Sequence, residues 1–147
     1  LLGQTLEGQQ VFDVRRAITA VRGVEAWQKT PLWLQSHRDM AGITLYASLF
    51  EENITRLDLH DLPTSHRQGP CLLNVLRITD LPQTVVMAAE RSQVVLYHGE
   101  PQAWSWPKQV IDDLAWRKTQ IQLRPPVGED GPDDSDNAPP APQTERE

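Results

Sequence analysis

Apolar residues first recur with a helical period. Between residues 9 and 22, Val11, Val14, Ile18 and Val21 fall at spacings of three and four, with Phe12 and Ala17 widening the stripe. The pattern predicts an amphipathic helix that ends before Gly23 and carries Arg15, Arg16 and Arg22 on its other side. Pro31 introduces Leu32-Trp33-Leu34, a short apolar run between polar residues that suits a buried strand. Residues 39–50 follow as a helix apolar on nearly every side (Met40, Ala41, Gly42, Ile43, Leu45, Ala47, Leu49), which predicts cover on both of its faces. Ile54-Thr55-Arg56-Leu57-Asp58-Leu59 alternates and reads as a strand, and residues 62–70 form a long loop by composition. The short apolar stretch 72–78 suits either a helical turn or a strand. Asp80 is placed to cap a helix that starts near Pro82 and runs to about Glu90. Gln93-Val94-Val95-Leu96-Tyr97 is the strongest strand, with Val95 facing one helical layer and Val94 and Leu96 the other. Residues 104–116 are helical with Trp106, Val110, Ile111 and Leu114 inward, and Gln120-Ile121-Gln122-Leu123 is a last strand stopped by Pro125-Pro126.

Strands separated by helices require crossover connections. The expected fold is therefore α/β, a three-layer α/β/α arrangement with a mostly parallel sheet and helices on both faces. Of 147 residues, 14 are basic and 20 acidic, but residues 127–147 hold seven of the acids against Arg146 alone. With its prolines and lack of aromatics, that segment is expected to be a disordered acidic tail, leaving 1–126 as the folded portion. The remaining 13 basic and 13 acidic residues offer no basic surplus for tracking phosphates, so no nucleic-acid partner is expected. No apolar run is long enough for a membrane span. A single cysteine, Cys71, allows neither an intrachain disulfide nor a multi-thiolate metal site, and the compartment is left open. The chain opens on Leu1 rather than Met, and we read it as the end of a longer polypeptide, with no signal peptide visible in what is given.

Parallel sheets bind ligands beyond the carboxyl ends of their strands, so the residues following each strand are the places for chemistry. Neither G-x-G-x-x-G nor G-x-x-x-x-G-K-[ST] occurs, so no nucleotide cofactor is expected. His37, His60, His66 and His98 lie in separate segments without the spacing of a helical zinc motif, and no metal site is expected. After the first strand, Leu34-Gln35-Ser36-His37-Arg38-Asp39-Met40 contains Ser, His and Asp. No glycine flanks Ser36 to permit a sharp nucleophile turn, and triad partners normally arrive from different strands. A polar turn that caps the next helix accounts for the same residues.

Three stretches carry a resemblance. They are 39–50 (Asp39-Met40-Ala41-Gly42-Ile43-Thr44-Leu45-Tyr46-Ala47-Ser48-Leu49-Phe50), Arg56-Leu57-Asp58-Leu59, and 76–97, which includes Asp80-Leu81-Pro82 and Ala89-Glu90-Arg91-Ser92. In pattern and order they resemble the C-terminal half of α/β-hydrolases similar to bacterial acetyl xylan esterases, over roughly residues 3–124. The resemblance implies a helix before the nucleophile strand at about 6–20 and a nucleophile elbow within 35–40, centred on His37 or Arg38, with Ser36 one or two places early. It places the acid after the strand ending at Tyr97, where Gly99-Glu100-Pro101 offers Glu100, and the base after the last strand, where no histidine exists. Acyl transfer through a serine has no general base without it.

The sequence thus reads as the C-terminal, catalytically degenerate, α/β-hydrolase-like segment of a longer esterase, a scaffold for an upstream hydrolase domain of the same polypeptide. In a second reading it is half of a live carboxylic-ester hydrolase acting on an ester or carbohydrate substrate. That reading uses Ser36 or an upstream serine, with His66 or His98 as base and Asp61 or Glu100 as acid. In a third, Trp104, Trp106 and Trp116 present a carbohydrate- or protein-binding surface, against which core packing explains the same tryptophans.

Overall fold

In the computed structural model, which describes residues 5–127, Thr5 opens the first helix by accepting a hydrogen bond from Gly8 N–H on its Oγ1 (3.1 Å). Helix α1 (Leu6–Arg22) therefore starts three residues before the start at residue 9 that its apolar stripe predicts. It is followed by strand β1 (Leu32–His37), helix α2 (Asp39–Ser48), strand β2 (Ile54–His60), helix α3 (Leu81–Ala89), strand β3 (Gln93–Tyr97), helix α4 (Ser105–Asp113) and strand β4 (Ile121–Arg124). Single 3₁₀ turns lie at Glu25–Trp27, Val75–Arg77 and Pro101–Trp104. The Val75–Arg77 turn settles the 72–78 stretch as helical rather than extended.

The α/β class and the parallel sheet follow the expectation. The four strands lie in the order β1-β2-β3-β4, all parallel. The layering differs. Because each strand pairs with the next in sequence, every right-handed crossover places its helix on the same side of the sheet. The helices accordingly form one row, α1 against α2, α2 against α3 and α3 against α4. The described residues thus make two layers instead of three. Inward positions Leu57 and Leu59, Val94 and Leu96, and Ile121 join Leu45, Leu81, Val85, Trp104 and Ile111 in one core. The opposite face carries Trp33, Gln35 and His37, then Arg56, Asp58 and His60, then Gln93, Val95 and Tyr97, then Gln122 and Arg124, in register across the strands. Val95 is buried on that face between Asp58 and Gln122, without the second helical layer expected there.

Helix α2 is buried at seven of its ten positions, wedged among α1, α3, the sheet and the 62–70 segment. That segment is not a solvated loop: Leu62, His66 and Pro70 are buried, and Pro70 sits so close to Gly42 that a Cβ there would fall 2.5 Å from its Cδ. Asp80 caps α3 through a reciprocal pair, with Leu81 N–H donating to its carboxylate (2.8 Å) and its own N–H donating to Gln83 Oε1 (3.2 Å). The Pro101–Trp104 turn sets the phase of α4, so Trp104, Pro107 and Ile111 face inward. Trp106 and Leu114, expected inward, are exposed. The acidic tail lies outside the described residues apart from Val127.

Candidate functional site at the carboxyl ends of the strands

The apolar run Leu32-Trp33-Leu34 proves to be only the first half of β1, which continues through Gln35, Ser36 and His37. Chain reversal into α2 is then made by one residue, Arg38, at φ 52°, ψ −128°. This backbone conformation is strained for any side chain with a Cβ. Arg38 N–H donates to His60 O (2.8 Å), extending the β1–β2 ladder, and its carbonyl accepts from Ala41 N–H (2.9 Å) as α2 begins. A sharp, positive-φ strand-to-helix turn is the geometry that holds a nucleophile up from a sheet. Its apex here is an exposed arginine, a permanently charged donor with no nucleophilic lone pair.

Among the described residues, no side-chain to side-chain hydrogen bond joins any two of the four catalytic candidates. Ser36 is buried within β1, in register with the core residue Leu59, and its Oγ has no hydrogen-bond partner among the described residues. His66 is buried with both ring nitrogens engaged: Nδ1 donates to Pro70 O (2.8 Å), which leaves Nε2 to accept from Tyr46 OH (2.8 Å). Thr84 Oγ1 lies 3.1 Å from the same phenol oxygen. Burial, aided by the nearby Asp80 charge, pushes the Tyr46 phenol above its ordinary pKa despite the Thr84 hydrogen bond, so it stays a donor. Ser65 is committed to Asp80, donating to Oδ2 (2.7 Å), while His66 N–H donates to Oδ1 (2.7 Å). Burial alone would raise the Asp80 pKa; the hydrogen bonds from His66 N–H, Ser65 and Leu81 N–H outweigh it and hold the carboxyl below its ordinary value. His98 follows β3, stands edge-on to Trp104 and accepts the Glu100 N–H on Nδ1 (2.9 Å). The contact with Glu100 is thus to its backbone, and the exposed residue forms no ion pair among the described residues. Asp61 turns the chain out of β2 at φ 48° and is exposed.

Beside this turn the sheet carries a feature that the sequence pattern did not single out. The last outward residue of each strand is His37, His60, Tyr97 and Arg124, and the parallel register sets them side by side. The rings of His37 and His60 stack with centroids 4.3 Å apart and 16° between planes, and those of His60 and Tyr97 at 4.2 Å and 2°. Arg124 closes the row, its guanidinium carbon 5.8 Å from the Tyr97 centroid and Nη1 donating to the phenol oxygen (3.2 Å). Two to four residues earlier on the same face, the Arg56 guanidinium grips Asp58 through both carboxylate oxygens and lies over Trp33, 4.8 Å from its centroid. The signal available in sequence is the period-two spacing Gln35/His37, Asp58/His60, Val95/Tyr97 and Gln122/Arg124. It becomes a row only once the strand order is known.

Of the three tryptophans weighed as a binding surface, Trp104 is fully buried, Trp116 partly buried and Trp106 exposed, so they share no common face. Among the described residues, no group of three or more His, Cys, Asp or Glu is placed to hold a metal ion. No described helix is long and apolar enough to cross a membrane. Comparison of the chain with protein-family models, with curated proteins and with solved structures finds no match.

Proposed function

We propose that this chain is a catalytically degenerate segment of an acetyl xylan esterase-like α/β-hydrolase, serving as scaffold for an upstream hydrolase domain of the same polypeptide. In that protein, the upstream domain carries the hydrolysis of an ester borne on a carbohydrate. The observation that carries the reading is the strained turn at Arg38 between β1 and α2. Such strain persists where the surrounding fold dictates it, and here the ladder bond to His60 O and the packing of Gly42 against Pro70 hold the junction on both sides. The sequential parallel strands are consistent with the second half of a hydrolase sheet. The uncovered face, with Trp33 68% exposed on the edge strand β1, leaves room for a further layer.

Degeneracy follows from the residues at the turn and around it. Arg38 stands at the apex where a nucleophile would be needed, Ser36 points among core residues, and His66 has no free nitrogen with which to accept a serine proton. Purified chain incubated with a short-acyl nitrophenyl ester tests this directly. The expected rate rises linearly with substrate and shows no burst. Saturation kinetics that survive replacement of Arg38 would overturn the scaffold reading in favour of a live hydrolase half.

A further inference from the structure

We propose that the stacked rings of His37, His60 and Tyr97 form a proton-sensitive clasp, which ties the carboxyl ends of β1, β2 and β3 together while the His60 imidazole is neutral and releases them when His60 takes up a proton. The three rings come from three different strands, and His60 is the middle one, 7% exposed, while His37 is open to solvent. Gln35 Nε2 lies 3.0 Å from His60 Nε2. The amide nitrogen is a donor only, so the ring nitrogen facing it must present a lone pair and the ring proton sits on Nδ1. A second ring proton, on Nε2, would set two donors against each other, so the observed contact breaks and the Gln35 amide has to turn over or move off.

The groups around His60 decide how readily this happens. From β1 come Gln35 and His37, and from β3 comes Tyr97, with the Arg124 cation of β4 on its far side. On its own strand Asp58 is held by Arg56, and Asp61, just past the strand end, is exposed to water. Burial first, and then the neighbouring His37, lower the His60 pKa below its ordinary 6.5, against a smaller pull upward from Asp58 and Asp61. The sign is that of a group kept neutral by folding. Its contribution to stability is complete above pH 6.5 and is lost as the pH falls from there through the folded-state value. The main-chain bonds at the same level are Arg38 N–H to His60 O (2.8 Å) and Asp61 N–H to Tyr97 O (2.9 Å). Loosening the stack therefore loosens the anchor of the strained Arg38 turn.

Two measurements on the full chain test the clasp: imidazole Cε1–H resonances followed by NMR through the titration, and amide hydrogen exchange corrected for intrinsic rates. The His60 midpoint should lie below 6.5. Protection of the Arg38 and Asp61 amides should fall with pH between about 6.5 and the His60 midpoint, by up to about tenfold for each unit between them, while the mid-strand Leu96 amide is unaffected. His60→Phe keeps a stacking ring without a titrating proton and should make the two amides insensitive to pH over this range. Should that variant not fold, Gln35→Leu serves instead. Replacing the amide by an apolar side chain changes what faces Nε2, so the His60 midpoint and the pH at which protection is lost should shift together and in the same direction. Protection that stays constant with pH in the parent chain, a fall that persists in His60→Phe, or a Gln35→Leu variant in which neither quantity moves would overturn the proposal.

Discussion

Replacing Arg38 by glycine should stabilise the protein, although it removes a large charged side chain. The residue sits at φ 52°, ψ −128°, a conformation that costs a side chain with a Cβ roughly 1–3 kcal/mol and glycine almost nothing. Against that gain stands the greater freedom of glycine in the unfolded chain, about 0.5–1 kcal/mol. The guanidinium is exposed and forms no ion pair among the described residues, so its loss removes no compensating contact of that kind. The net expectation is a gain of about 1 kcal/mol. Urea denaturation reads this out: with a slope of about 2 kcal/mol/M, the midpoint should rise by about 0.5 M at unchanged slope. Arg38→Ala is the necessary control. It removes the same charge but keeps the Cβ, and its midpoint should remain near that of the parent. If glycine lowers the midpoint, or if alanine raises it as much as glycine does, the turn is not strained in the way described and the elbow reading loses its physical basis.

Gly42→Ala should be destabilising by about 1–3 kcal/mol, because its Cβ would lie 2.5 Å from Pro70 Cδ and a proline ring cannot rotate out of the way; the loss is measured in the same urea titration. The acid limb of stability should depend on Asp80. Its pKa is lower in the folded state than the ordinary 3.8, so its contribution is present above about pH 4 and disappears as the pH falls through the folded value. Asp80→Ala should cost about 1–2 kcal/mol at pH 7, through loss of the helix cap and of the partner to Ser65 and His66 N–H, and should flatten stability against pH below 4.

Where the sequence was legible, one residue type or one period sufficed. Asp80 with Pro82 in the first turn announced α3, and the unbroken apolar run Val94-Val95-Leu96 announced β3 with its observed bounds. The apolar run Leu32-Trp33-Leu34 predicts only the first half of β1 because half of the strand's positions face an uncovered side. Past Leu34 only the polar Gln35, Ser36 and His37 remain, and polar residues at a strand end look the same as a loop. The side of the sheet that the helices take is not legible in the sequence for a related reason. Alternating helices and strands fix the crossovers, but the face that each helix takes depends on strand order, which is a long-range property. The exposed Trp106 and Leu114 reflect phase: the turn ending at Trp104 starts the helix at Ser105 and turns Trp104, Pro107 and Ile111 inward instead. Around the candidate site, His66 read as a loop histidine because its partners, Tyr46 and Pro70, reach it only through tertiary packing.

Under the proposed function, the chain keeps the turn of a hydrolase elbow without the groups that would make it react. Labelling by a fluorophosphonate, read by intact mass and peptide mapping on the purified chain, tests it most directly. The reagent needs a serine whose oxygen is exposed and whose proton has somewhere to go. Ser36 is buried, Ser65 donates to Asp80, and His66 is fully engaged, so the mass should remain that of the unmodified protein. Stoichiometric addition at Ser36 or Ser65, abolished by His66→Ala or His98→Ala, would contradict the account.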